Sequence, residues 1–242
     1  GAFVDELAAA TRTGGDLVVG LDVTAILGLG KFEPPMPVGG GQQAGPFLEA
    51  YAPRTDSERA QNLGPLWSEL SAHRWYATEK IDGTSLTVVK AVDGRVRVCG
   101  RNWEIADSDN VYWNATRRFG LGEALEPKMA VQAEVAGPGI QGNPLRLPDV
   151  AVFVFDVLLD RQPLPRSQWP SALAALAVPV LDLPFPGSPE EAVEQVEELS
   201  SVLAAGRPAE GVVWHTVDGS VVPCLGRSTW KAINNALLAK GR

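Results

Sequence analysis

Cysteine and histidine are scarce: Cys99 and Cys224, His73 and His215 are all that 242 residues contain. Two distant thiols build no disulfide framework, and so few thiols and imidazoles do not make a zinc site, so the sequence reads as a reduced, intracellular protein. Long apolar runs are missing as well. Nothing approaches the roughly 18 residues of a membrane-spanning helix, and Gly1-Ala2-Phe3-Val4-Asp5 has neither the basic flank nor the apolar core of a signal peptide. Positive charge is also in deficit, with 21 Lys plus Arg against 29 Asp plus Glu and a net charge of -8. Whole-chain charge therefore lends no support to non-specific nucleic-acid binding. What is present is ordinary globular composition, 45% hydrophobic and 21% charged, which excludes disordered and collagenous chains. One large domain or two small ones fit this length. The expectation is a soluble, cytoplasmic, monomeric enzyme that does not touch membranes.

Proline and glycine crowd the stretch from Gly28 through Pro34-Pro35, Gly39-Gly40-Gly41 and Gly45-Pro46 to Pro53. Such a stretch cannot be regular helix or central strand. Because Phe32, Met36, Phe47 and Tyr51 interrupt it, it is expected to lie as an extended strap on a larger body rather than as a free linker. Thr55-Asp56-Ser57-Glu58 has the form of a capping box opening a short helix that stops near Gly64-Pro65. Residues 1–70 are thus expected to form a Pro/Gly-rich strap and short helix packed on a catalytic body of residues 71–242.

Within that body, Thr84 to Lys90 is rich in β-branched residues, Asp93-Gly94 signals a hairpin, and Arg95 to Cys99 alternates. Met129 to Val135, Val150 to Leu158, Gly211 to Val217 and Val221 to Leu225 are further strand candidates. Hairpins dominate, which predicts largely antiparallel sheets. Ser188-Pro189-Glu190-Glu191 opens an amphipathic helix with Val193, Val196, Leu199 and Leu203 on one face and Gly206 past its end. Glu190, Glu191, Glu194, Glu197 and Glu198 gather on it, so net charge is a poor guide to the active surface. Ala232 to Lys240 is expected to form a last short helix. Trp67, Trp75, Trp113 and Trp169 are expected in the core or as staples rather than as base-stacking platforms.

The most informative string is Thr78-Glu79-Lys80-Ile81-Asp82-Gly83-Thr84. On a strand Lys80 and Asp82 share a face, and Gly83 allows close approach to the backbone. A lysine is nucleophilic only when neutral, a state favoured by desolvation or neighbouring positive charge, which a metal held by Asp82 would supply. Alone, this string fits a surface lysine before a turn equally well. Four further strings supply, in order, the parts that adenylyl transfer needs. Cys99-Gly100-Arg101-Asn102-Trp103-Glu104 brings a cation able to grip a phosphate or ribose. Gln132-Ala133-Glu134 leads into the glycine-rich Gly137-Pro138-Gly139-Ile140-Gln141-Gly142-Asn143-Pro144. Phe153-Val154-Phe155-Asp156 carries an aromatic pair, Glu210-Gly211 a second carboxylate at a strand head, and Thr229-Trp230-Lys231 a late lysine.

The ordered series resembles the nucleotidyltransferase motifs of ATP-dependent polynucleotide ligases. The strings from Glu134 to Pro144 and from Thr229 to Asn234 resemble the RNA ligase 2 type in particular. Lys31-Phe32-Glu33-Pro34-Pro35 and Arg54 to Leu63 resemble the segment before the nucleophile in a bacterial nick-sealing branch, and the likeness runs from about Asp22 to the C-terminus. It implies an α+β nucleotidyltransferase domain of two packed antiparallel sheets flanked by helices, with the adenylate in the groove between them. It also implies that Lys80 attacks the α-phosphate of ATP, expels pyrophosphate and carries a lysyl-AMP. Asp82, Glu134 and Glu210 would orient Mg²⁺ or Mn²⁺, partly through its waters. Lys231 would neutralise the α-phosphate, and Arg101 would hold the ribose or incoming phosphate. Phe155 would stack on adenine and Glu79 read its edge, after which AMP would pass to an RNA 5′-phosphate and a 3′-hydroxyl would displace it.

Each residue also has a plainer reading: Phe155 as core aromatic, Glu210 as exposed strand-start acid, Lys231 as surface cation, Arg117-Arg118 as solvated charge. Two features depart from the pattern. Thr229 stands where the family carries the first lysine of Lys-x-Lys, with Arg227 on the same strand face as a substitute, and the stretch before Lys80 is short for an OB-type domain plus the strap. The implied function is ATP-dependent ligation of RNA or of RNA-containing nicked duplexes. The alternatives are an adenylating ligase acting on a small molecule and a degenerate nucleotide or RNA-end binding module.

Overall fold

The computed structural model describes residues 41–236. The strap from Gly28 to Gly40 and the end of the expected last helix, 237–240, lie outside the described residues. Twelve strands occur among those described: β1 Gln43–Pro46, β2 Glu58–Arg59, β3 Trp75–Glu79, β4 Thr84–Lys90, β5 Val96–Cys99, β6 Trp103–Ile105, β7 Met129–Ala136, β8 Ala151–Leu159, β9 Gln162–Pro163, β10 Val180–Leu181, β11 Gly211–Thr216 and β12 Thr229–Ile233. They form a seven-stranded sheet in the order β1-β6-β5-β4-β7-β8-β9 and a five-stranded sheet in the order β10-β3-β11-β12-β2. Neighbours run antiparallel except β12 and β2, which are parallel. Helices Trp67–Leu70, Val111–Arg118, Ser171–Ala174 and Pro189–Glu197 flank the sheets, the α+β arrangement expected.

Strand parity sorts the side chains, because cross-strand partners and residues two apart share a face. In the larger sheet Ser85 pairs with Glu134 and Thr87 with Gln132. Glu134 pairs in turn with Phe153 and Gln132 with Asp156. In the smaller sheet Tyr76 lies opposite His215 and Thr78 opposite Val213, which are opposite Thr229 and Lys231. The segment 55–57 touches both of these mostly polar faces, Thr55 at Ser85 and Ser57 at Thr229. On the outer face of the smaller sheet, Ala77, Trp214 and Trp230 pack with Trp67, Leu63, Leu70 and Val196. The Trp214 and Trp230 rings stack 5.6 Å apart.

Four local expectations are corrected. Thr55 does not cap a helix: its hydroxyl meets Ser85 Oγ at 3.0 Å, and Glu58–Arg59 extends beside β12 instead. Val221 to Leu225 is no strand, since Pro223 has no N–H to give a ladder and the chain turns back through Gly226 (φ +61°) to bridge Val222 with Arg227. Ala232 and Ile233 belong to β12 rather than to a helix. The amphipathic helix begins as expected, with Ser188 Oγ accepting from Glu191 N, but stops at Glu197. Beyond it, Glu79 accepts from Val202 N and Ser201 Oγ from the N–H groups of Leu203 and Ala204. Those side chains take the donors that a longer helix needs.

Candidate active site

Lys80 follows directly on β3, and its N–H donates to Gly211 O at 2.8 Å. This docks the nucleophile string beside the Glu210-Gly211 string. The docking is tight: a Cβ on Gly211 would sit 2.4 Å from Ala232 O, and one on Gly83 2.3 Å from Val135 O. Only glycine fits either place, and the second lets the Asp82-Gly83 turn press against β7 beside Glu134. Lys80 Nζ then donates to Glu210 Oε2 at 2.7 Å.

Around this pair the charges are dense. Glu134 is pushed up to about 8 by burial, with Lys80 pulling it down and Glu210 and Asp82 pushing it further up. Three carboxylates and one ammonium therefore feel one another. Lys231 is lowered by burial, held up by Asp56, and lowered again by Lys80, Arg59 and Arg101. Four cations are thus near enough to act on one another, an arrangement suited to a polyphosphate. Arg59 is held there by the parallel pairing that sets it opposite Lys231, and Arg101 Nη2 lies 2.5 Å from Asp56 Oδ1.

Among the described residues, no three His, Cys, Asp or Glu side chains form a group able to hold a metal ion alone. The donor set nonetheless suits Mg²⁺ or Mn²⁺. Its oxygens are hard, their mutual repulsion is what a cation relieves, and Mg²⁺ keeps waters and takes phosphate oxygens as remaining ligands.

Phe155 lies where β7 and β8 slip register: Gln132 faces Asp156 and Ala133 faces Val154. It is the extra residue of a β-bulge, a device that re-aims a side chain. Half-buried, it packs against the buried cluster of Ile81, Ala136 and Val178, on which Phe153, Leu145, Leu147 and Leu203 also lie. Glu79, the last residue of β3, accepts at its Oε2 from Val202 N at 2.9 Å, next to Leu203, which packs on the same cluster as Phe155.

A model of the RNA ligase family matches residues 73–233, well over half of the chain. The chain belongs to the RNA ligase family. Among solved structures, a Naegleria gruberi RNA ligase variant with AMP and Mn is 33% identical at a TM-score of 0.77, over 92% of this chain and 68% of that one. A further variant with ATP and Mn has the same identity, TM-score and coverage. The Naegleria ligase with PPi is also 33% identical at a TM-score of 0.77, over 96% of this chain and 69% of that one. No curated protein matches the sequence.

Within this family member the structure brings Lys80, Asp82, Glu134, Glu210, Lys231 and Arg101 into one neighbourhood. Arg227 does not join them on a strand. It precedes β12, and its Nη1 donates to Arg54 O at 2.6 Å. Thr229 is occupied by Ser57, hydroxyl to hydroxyl at 2.7 Å. Arg117 and Arg118 are paired with Asp107 and Asp149. Sequence reasoning did not single out Arg59 or Asp56 as site residues. Two-residue strands carry no periodicity, so the string from Arg54 to Leu63 offered only its resemblance.

Proposed function

We propose that this chain is an ATP-dependent RNA ligase working through a lysyl-AMP on Lys80. The observation that carries this reading is the Lys80–Glu210 contact at 2.7 Å beside Glu134 and Lys231, in a chain of the RNA ligase family. The lone pair of neutral Lys80 Nζ forms the N–P bond with the α-phosphorus of ATP, the bond to the bridging oxygen breaks, and pyrophosphate leaves. The Lys80 ammonium first gives a proton to Glu210, and the second proton that Nζ sheds on forming the N–P bond passes to solvent. Lys231 meets the charge that builds on the α-phosphate, while Arg59 and Arg101 hold the outgoing phosphates or the incoming 5′-phosphate. When bound, Mg²⁺ or Mn²⁺ supplies further positive charge there, and Asp82, Glu134 and Glu210 are the residues that would hold it, partly through its waters. Phe155 offers a stacking face to adenine.

AMP then passes to an RNA 5′-phosphate, and a 3′-hydroxyl displaces it. We assign nicked RNA-containing duplexes as the acceptor, supported by the likeness of residues 54–63 to a nick-sealing branch. Free Cys99 and Cys224 suit a reducing cytoplasm. Incubation with α-labelled ATP and Mg²⁺ tests the reading: wild type should give a covalent adduct reversed by pyrophosphate. No adduct, or one that persists in Lys80→Ala, would overturn it.

A further inference from the structure

Two loops that the reaction itself does not use bring leucines to the Ile81, Ala136 and Val178 cluster on which Phe155 packs. The first, residues 137–147, turns through six left-handed positions, and Gln141, Asn143 and Arg146 occupy three of them with φ of 47°, 50° and 51°. Non-glycine residues resist that conformation, so surrounding bonds must hold the loop. Asn143 is one clamp, its Nδ2 donating to Leu147 O and its Oδ1 accepting from Leu147 N, both at 2.9 Å. Leu145 and Leu147 of this loop pack on the same Ile81, Ala136 and Val178 cluster as Phe155.

The second loop, residues 199–209, is cinched by Ser201 N donating to Arg207 O at 2.7 Å and Ala209 N to Leu199 O at 2.9 Å. It is fastened to β3 where Glu79 accepts from Val202 N. Leu203, the next residue, packs with the same Phe155 set. The loops are joined by a charge-assisted bond: Arg207 Nη1 donates to Pro144 O at 2.6 Å. Pro144 lies between the strained Asn143 and Leu145, so the guanidinium pulls on the wall beside Phe155 without lying on Lys80, Glu134, Glu210 or Lys231.

We propose that Arg207 is a positioning residue for the nucleobase pocket: through Pro144 it fixes the Leu145–Leu147 wall against Leu203 and so sets how tightly adenine is held on Phe155. This rests on the reading that ATP binds with adenine at Phe155. Because the phosphate end of the site is built from other residues, Arg207 governs ground-state ATP binding and not the chemical step.

The test is single-turnover adenylation with ATP concentration varied. Arg207→Met keeps the stem and loses the donor, so it should raise the ATP concentration for half-maximal rate about tenfold, the scale of a charge-assisted hydrogen bond, with the saturating rate within about twofold of wild type. Arg207→Lys, which can still reach a carbonyl, should recover most of the loss. Asn143→Ala, loosening the same loop from its other clamp, should show the same split and serves if Arg207→Met folds poorly. Unchanged ATP dependence in both Arg207→Met and Asn143→Ala, or a fall in saturating rate with unchanged half-saturation, overturns the proposal. A wild-type protein that forms no adduct at all defeats the ligase reading instead.

Discussion

Lys80 Nζ lies 2.7 Å from Glu210 Oε2 and near enough to the Glu134 carboxyl to pull it down. Lys80→Ala should abolish the labelled adduct while leaving the fold intact. Lys80→Arg should fail equally because a guanidinium stays protonated. Glu134→Ala should slow adenylation by about 100-fold, the scale of losing one preorganised electrostatic group, whereas Glu194→Ala on the flanking helix should leave it unchanged. Similar small effects in the two glutamate variants would remove Glu134 from the site.

His215 gives a residue-scale expectation for pH. His215 Nε2 and Thr78 Oγ1 share a hydrogen bond at 3.0 Å, and the buried Nδ1 has no partner among the described residues. Burial, aided by the Arg166 guanidinium, pushes His215 down from 6.5 to about 3. Between those values the unfolded chain binds more protons than the native one, so this contribution is fully present above about pH 6.5 and lost as pH falls toward 3. His215→Gln keeps an N–H for Thr78 and does not titrate. Its melting temperature should therefore fall less steeply than that of wild type between about pH 7 and 4, and parallel curves would show that His215 is not held neutral.

At the scale of elements, the helix Pro189–Glu197 shows which local signals act alone. Ser188 caps it, and Glu191 Oε2 reaches one residue past the cap to accept from Gly187 N at 2.7 Å. Ser188→Ala should cost about 1 kcal/mol of stability, read as a lower denaturant midpoint with adenylation unchanged. The same type of signal at Thr55 fails, because Ser85 and Thr229 offer the strap hydroxyls tertiary partners. Strand β12 illustrates the converse. Its Thr229, Trp230 and Lys231 were prominent in the sequence for chemistry, yet their strand depends on β11 alongside.

For the molecule as a whole, the charge balance separates the two halves of the reaction. Net charge is -8, and Arg54, Arg101, Arg117 and Arg118 are already paired with carboxylates. The phosphates of an RNA backbone, whose binding is dominated by charge neutralisation, must compete with those carboxylates for the cations. Joining of a nicked duplex with an RNA 3′-hydroxyl strand should therefore fall more than about tenfold between about 50 and 200 mM salt, with adenylation changing far less. A salt series on both steps checks this. Salt-insensitive sealing would show that phosphate contacts are not limiting.

Strand content, antiparallel pairing and the order of chemical groups were legible because they are local: β-branched runs, Asp93-Gly94, and glycines after Asp82 and Glu210 dictate backbone shape within a few residues. The strings around Asp82, Arg101 and Glu210 were legible for the same reason, each residue lying just outside a strand beside a glycine. Tertiary structure alone decided what depends on distant partners. The bulge at Phe155 arises from a slip against β7, Arg59 reaches Lys231 through a two-residue parallel pairing, and Glu79 is drawn to Val202 N. None of these leaves a periodic trace, because a short strand or a side chain bound to remote backbone is fixed by the three-dimensional competition for hydrogen bonds rather than by its neighbours in sequence.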